Sequence, residues 1–145
     1  MNILPMGNEH IISLAGLEKI CFSEPWSEEG LRAELTKSEA RFFVCEYDGE
    51  IAGYMGMHII LDECYITNVA VFPRFRRKGI GEALVRHSVQ KAAEENCSFI
   101  TLEVRVSNSS AIALYEKAGF VSVGERKNFY SSPTENALIM TKELR

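Results

Sequence analysis

The stretch Arg76-Arg77-Lys78-Gly79-Ile80-Gly81 lies between an apolar run, residues 66–72, and an amphipathic segment that opens at Ile80. An apolar run, a glycine-rich turn and a helical stripe in that order make a strand, a tight turn and a helix, which commits the chain to layered α and β structure. The two glycines let the backbone come close to a ligand. The first amides of the helix point outward, unpaired, at the positive end of its dipole. Three consecutive cations add charge to that cradle. The guest it suits is a pyrophosphate. The spacing is neither G-x-x-x-x-G-K-S/T nor G-x-G-x-x-G, the commoner nucleotide loops. What remains is R-x-x-G-x-G, read from Arg76, Gly79 and Gly81.

The segments on either side of this unit follow from periodicity. Asn8 is placed to cap a first helix over about 9–21, with Ile11, Ile12, Ala15 and Ile20 at helical spacing. Pro25-Trp26-Ser27 breaks the chain, and Ser27 caps a short second helix to about residue 37, with Leu31 and Leu35 an i,i+4 apolar pair. Residues 41–47, 51–61 and 63–72 are rich in β-branched and aromatic types. Asp48-Gly49-Glu50 is a hairpin turn between the first two, so the three make an antiparallel meander. Ile80, Ala83, Leu84, His87 and Ala92 put one stripe on a helix over 80–95, with Asn96 at its end. A strand over 98–106 follows this crossover helix and is therefore expected parallel to its neighbour. Asn108 or Ser109 caps a last helix that stops at Gly119, and strands over 120–130 and 136–142 close the sheet. The expectation is one domain over 1–145, built on a mixed, mostly antiparallel sheet of six to seven strands flanked by about four helices.

Bulk composition narrows the class without naming it. A chain of 145 residues buries about two thirds of its unfolded surface. Its 46% hydrophobic and 25% charged residues are ordinary for a globular protein and favour neither disorder nor a membrane class. No stretch approaches the ~18 apolar residues of a spanning helix, and residues 1–10 lack the cationic start and apolar core of a secretion signal, so a cytoplasmic location is expected. Cys21, Cys45, Cys64 and Cys97 form no C-x-x-C pair and have no histidine cluster near them, so neither a metal nor a disulfide is expected. His10, His58 and His87 read as structural or solvated. A net charge of −4 disfavours nucleic acid as a partner, despite the basic stretch 74–78, and suits a basic one.

The hexapeptide resembles the acetyl-CoA loop of the GNAT N-acetyltransferase superfamily, and the order of elements matches that fold over nearly the whole chain. Within the superfamily, Leu102-Glu103-Val104-Arg105, Asn108 and the run AIALYEKAGF from Ala111 to Phe120 resemble bacterial ribosomal-protein-alanine N-acetyltransferases of the RimI type. So do Pro25-Trp26, Asn68-Val69-Ala70-Val71 and Asn128-Phe129-Tyr130. The resemblance implies acetyl-CoA as cosubstrate. It would be held by the main chain of Asn68, Val69, Ala70 and Val71, by the loop and first turn at Arg76, Arg77, Lys78, Gly79, Ile80, Gly81 and Glu82, and by Asn108 and Tyr115. For Asn68 to Val71 the plainer reading is ordinary strand packing, and Asn108 is an N-cap, a contact to the pantetheine arm, or both.

Acetyl transfer to an amine needs a base, because only a neutral amine attacks, and an acid, because a thiolate leaves better protonated. On the strand over 98–106, Ile100, Leu102, Val104 and Val106 share one face, and Thr101, Glu103 and Arg105 the other. Glu103 thus lies off the apolar face, near the carboxyl end of its strand where ligands of open α/β sheets bind. It is our candidate general base, directly or through a water, which is also its role in the resemblance; the alternative is a cross-strand ion pair with Arg105 or a neighbour. Tyr115 shares a helix face with Ala111, Ile112 and Ala118 and points inward. The resemblance makes it the general acid, the alternative being a core aromatic.

An α-amino group titrates near ~7.7 to 8.0 and lysine near ~10.4, so freeing a lysine amine at neutral pH costs about 3 kcal/mol more. This favours an N-terminal acceptor, which the resemblance makes the N-terminal alanine of a ribosomal protein. Pro25-Trp26, Glu63 and Tyr130 are candidates for the acceptor side, Trp26 equally a hydrophobic anchor. Two other readings stay open: acetylation of lysine side chains or a small amine, and a catalytically idle CoA-binding module.

Overall fold

In a computed structural model, which describes residues 1–145, seven strands form one sheet in the order β1-β2-β3-β4-β5-β7-β6. The strands are β1 Asn2–Pro5, β2 Ala40–Tyr47, β3 Glu50–Ile60, β4 Glu63–Val71, β5 Phe99–Arg105, β6 Val121–Tyr130 and β7 Glu135–Glu143. The helices are α1 Ile11–Cys21, α2 Glu28–Glu34, α3 Ile80–Glu94 and α4 Ser109–Lys117. The expected mixed sheet with four helices is the fold observed. β4 and β5 are its parallel pair, and β7 lies between β5 and β6.

The N-terminus departs from expectation. Residues 2–5 add an edge strand against β2, a pairing that four residues ending in proline do not announce. Asn8 does not cap α1. A single 3-10 turn, Asn8–His10, precedes the helix; the Gly7 N–H donates to His10 Nδ1 at 2.8 Å, and Asn8 Oδ1 accepts from Arg32 Nε at 3.0 Å. The buried face of α1 is Ile11, Leu14, Ala15, Leu17 and, among them, Glu18, whereas Ile12 and Ile20 are exposed. Ser27 does cap α2, its Oγ accepting the Gly30 N–H at 3.0 Å, but the helix ends at Glu34. Asp48 (φ 53°) and Gly49 (φ 78°) make the β2–β3 hairpin, both residues taking the positive φ that a two-residue turn of the right twist requires.

Two details of β4 shape everything that follows. Its pairing with β5 is confined to Glu63, Cys64 and Tyr65 against Phe99, Ile100 and Thr101; from there β4 stays with β3 while β5 stays with β7, and the sheet splits. At the same height Gly56 pairs with Asn68 and Met57 with Ile66, leaving Thr67 as the extra residue of a bulge. Because side chains alternate along a strand, one inserted residue exchanges the faces beyond it. Cys64 and Ile66 pack into the core under α3, and so do Val69 and Val71, while Asn68 and Ala70 are turned to the α1–α2 side. The sheet thus carries a larger core against α3 and α4 and a smaller one against α1 and α2.

Candidate active site

The turn between β4 and α3 has the form the sequence predicts, with one reassignment. Gly79 is the N-cap of α3 at φ 79°, with no side-chain cap, so the first amides of the helix stay open. A Cβ on Gly81 would stand 3.2 Å from Leu114 Cδ2, which marks the close approach of α3 to α4. The cations are spent unequally. Arg74 pairs with Glu50 at 2.7 Å, and Lys78 lies over the Tyr47 ring at 5.6 Å. Arg76 turns back, its Nε donating to the Val71 carbonyl at 3.3 Å and its Nη2 reaching Cys21 Sγ at 3.5 Å. Arg77, itself at φ 64°, makes no ion pair, which leaves it free to meet an anion. The basic surplus of the loop is therefore mostly structural. The Glu82 side chain, in the first turn of α3, is held by Arg86 at 2.8 Å and Lys117 at 3.2 Å, and the Arg86 hydrogen bond keeps its carboxyl below the usual range.

A cavity of about 460 Å³ opens where β4 and β5 part. Val69, Leu102, Val104, Ala111 and Tyr115 line it from the α3–α4 side, and Glu18, Trp26, Asn68, Glu103 and Arg105 from the α1–α2 side. Asn68, Val69, Glu103, Asn108 and Tyr115, far apart in the sequence, are brought together here. The stretch of β4 beyond Tyr65 has no partner strand on this side, so its main-chain groups face the cavity. Asn108 is the N-cap of α4, its Oδ1 accepting the Ala111 N–H at 3.3 Å, and it lines the cavity as well.

Glu103 projects from β5 on the face that alternation assigns to it, and the cross-strand pair is present too: Arg126 Nε of β6 lies 3.1 Å from Glu103 Oε1. With the Arg126 side chain 57% exposed, that pair sits at the open side of the cavity. Tyr115 is buried and packs against Phe120, its ring centroids 5.8 Å away, while no protein group accepts its hydroxyl proton. Burial first, and the neighbouring Tyr130 second, push its pKa up from the ordinary 10.0. Tyr130, which lines the same cavity, is pushed up to about 12, mainly by burial and then by the Glu103 charge.

Of the residues expected on the acceptor side, Trp26 and Tyr130 line the cavity and Glu63 does not. Glu63 sits at the opposite end of β4, where it accepts the Tyr65 hydroxyl proton. Trp26 serves as the anchor as well, its ring 5.8 Å from Phe42. Glu18 was not visible as a site residue in the sequence. Its carboxylate is fully buried in the cavity wall and accepts the Trp26 N–H at 2.9 Å, the Tyr54 hydroxyl at 2.5 Å and Asn68 Nδ2 at 3.3 Å. The signal for it was its helical spacing: Glu18 falls four residues after Leu14 and three after Ala15, on the apolar stripe of the first helix. No group of three His, Cys, Asp or Glu side chains is arranged to hold a metal ion.

Comparison with known proteins places this geometry. The sequence model of the acetyltransferase (GNAT) family matches residues 11–120. A Bacillus subtilis (strain 168) protein, provisionally named a ribosomal protein bS18-alanine N-acetyltransferase, is 40% identical over 133 residues, covering 91% of this chain and 88% of its own. The crystal structure of the ribosomal-protein-S18-alanine N-acetyltransferase from Escherichia coli superposes with a TM-score of 0.90 at 30% identity, over 99% of this chain and 93% of that one. The NatC complex bound to Gag peptide and CoA superposes with a TM-score of 0.83 at 27% identity, over the full length of both chains.

Proposed function

The chain belongs to the acetyltransferase (GNAT) family, and from that premise we propose that it transfers the acetyl group of acetyl-CoA to the N-terminal α-amino group of a ribosomal protein whose first residue is alanine. The observation that carries the reading is the meeting of Glu103 and Tyr115 in one cavity at the split between β4 and β5, while the strand β4 that forms one edge of that split leads into the turn whose amides at Gly79, Ile80 and Gly81 stay open. The loop suits the cosubstrate on its own geometry: a left-handed Gly79, a Gly81 with no room for a side chain without Leu114 yielding, and a free Arg77. Acetyl-CoA supplies a thioester, a carbonyl already activated toward an amine. The protein's part is to hold it and to move protons.

The chain of roles runs across the split. The open amides at the start of α3 and Arg77 would hold the pyrophosphate, and the main chain of Asn68 to Val71, paired with β3 on one side only, the pantetheine and acetyl groups, with backbone N–H groups polarising the carbonyl. Glu103 takes a proton from the acceptor amine on the α1–α2 side. Tyr115, kept protonated by its burial, gives one to the departing sulfur from the α3–α4 side. A relay through Glu103 suffices for an α-amino group, which is already partly neutral near pH 7.

The small-amine alternative needs free acidic groups for a polycation. Of the three carboxylates of the cavity wall, Glu18 is buried under three donors and Glu103 is paired with Arg126 and serves as the base, so only Glu24 is left to meet a polycation. Two peptides decide between acceptors, one with a free N-terminal alanine and one N-blocked with an internal lysine, each given to the protein with acetyl-CoA while coenzyme release is followed. Turnover on the alanine peptide alone is the expected result; turnover on the lysine peptide overturns the assignment. A purely binding role predicts coenzyme binding with silence on both. In keeping with a ribosomal acceptor we place the protein in the cytoplasm; no helix is long and apolar enough to cross a membrane.

A further inference from the structure

Arg105 is the residue of β5 that the reaction leaves unused, and its surroundings are unusually dense for a side chain at a strand end. Its Nη1 donates to the Pro133 carbonyl at 2.9 Å and pairs with Glu135 Oε1 at 3.1 Å. Its Nη2 donates to the Ser131 carbonyl at 2.9 Å and to Ser23 Oγ at 3.2 Å. The guanidinium also stacks over the Tyr130 ring, 4.5 Å from the centroid. These partners come from two separate segments: Ser23, in the cavity wall, belongs to the segment between α1 and α2, and Ser131 and Pro133 to the turn between β6 and β7. Glu135 carries the connection further, its Oε2 accepting the Ser107 N–H at 2.8 Å in the approach to α4. Burial is substantial, with Arg105 24% and Glu135 16% exposed at their side chains.

A planar fork with donors fixed on both nitrogens spans such a set, and a lysine ammonium, with three donors radiating from one point, does not. We propose that Arg105 is a positioning residue for the acceptor: by tying the α1–α2 segment to the β6–β7 turn it fixes the width of the acceptor's entrance and so restricts the first residue of the acceptor to a small side chain. The inference rests on the proposed N-terminal acetyltransferase reading. It adds a determinant of selectivity that lies outside the proton transfers: Arg105 borders the cavity, but its guanidinium donors are spent on Ser23, Glu135 and the turn, so it acts by holding them in place.

The test compares wild type with R105K, and with S23A, which removes one strand of the tie and leaves the fold's ion pair intact. Peptides beginning with alanine and with leucine are assayed, and acetyl-CoA affinity is measured by calorimetry. For R105K the KM for the alanine peptide rises about tenfold, as the loss of charge-assisted hydrogen bonds predicts. Its kcat and acetyl-CoA affinity stay within about threefold, and the preference for alanine over leucine in kcat/KM falls about tenfold. S23A moves the same quantities in the same direction by less. An unchanged preference in R105K, or a loss confined to kcat or to acetyl-CoA affinity, overturns the proposal. Amide hydrogen exchange of residues 22–27 and 131–134 separates this idea from the functional reading: faster exchange in both segments of R105K supports the tie whatever the acceptor, and unchanged exchange sinks it even if the enzyme acetylates N-terminal alanine.

Discussion

Two side chains carry opposite proton duties, and their surroundings predict different failures. Replacing Glu103 with glutamine keeps the shape and most of the contact to Arg126 but removes the base; kcat is expected to fall about a hundredfold, with acetyl-CoA affinity unchanged by calorimetry. Tyr115→Phe removes a hydroxyl that no protein group holds, so stability should change little while kcat falls on a similar scale. The pH profile separates the pair. A general acid must be protonated, and burial holds the Tyr115 pKa above its ordinary 10.0. The kcat profile of the wild type should therefore show no alkaline decline up to pH 9.5; a decline centred near pH 8 would remove Tyr115 from the role. Glu18 belongs to the structural side of the ledger. Truncating it to alanine strands Tyr54, Asn68 and the Trp26 N–H in the cavity wall, at a cost of about 3 kcal/mol or more by chemical denaturation.

At the level of elements, α3 joins the loop to the core, and each end makes a separate prediction. Gly79→Ala places a side chain at φ 79°, where L residues are strained by about 1 kcal/mol, and tilts the amides on which the cosubstrate would sit. The expected result is a slightly lower melting temperature with a clearly weaker acetyl-CoA affinity. Midway along the helix His87 packs edge-on to Phe43 at 4.5 Å with its Nε2 buried and unpartnered. Burial, aided by Lys91, holds its pKa below the ordinary 6.5, so the folded chain binds fewer protons there than the unfolded chain. Its contribution is complete above pH 6.5 and is lost as pH falls below it. Glu95, lowered by its Arg41 hydrogen bond, contributes above its ordinary 4.5 and weakens only below that. Between these values, the denaturation midpoint of wild type should drop toward acid more than that of His87→Phe, with His10 and His58 common to both chains. The stripe that includes His87, the R-x-x-G-x-G turn and the alternation around Glu103 were all legible because each is a local pattern of spacing. The Thr67 bulge, the four residues of β1 and the burial of Glu18 were not, since each depends on a neighbour distant in the chain: Gly56 and Met57, β2, and Tyr54 with Asn68. An ion pair of Glu103 with Arg105 or a neighbour is the reading its strand allows; the partner is Arg126, out of reach of a local pattern because β7 lies between their strands.

Across the whole molecule, one sheet separates two cores, each closed by its own helices. Leu84 on the α3 side and Leu14 on the α1 side are both fully buried. Truncating either to alanine should cost about 2–5 kcal/mol. Because both cores share the sheet, each variant should still unfold in one transition, coincident by Trp26 fluorescence and far-UV circular dichroism. The split between β4 and β5 opens the sheet between the two halves, and the Thr67 bulge turns Asn68 toward one of them where Tyr115 arrives from the other. In the proposed reaction the sheet then acts as a partition with a single doorway. The coenzyme stays in one room, the bulk of the acceptor in the other, and only the first few atoms of a polypeptide pass through the frame. Either occupant can be exchanged without disturbing the other, and a partner of any size can be served without a lid, provided it offers a free end.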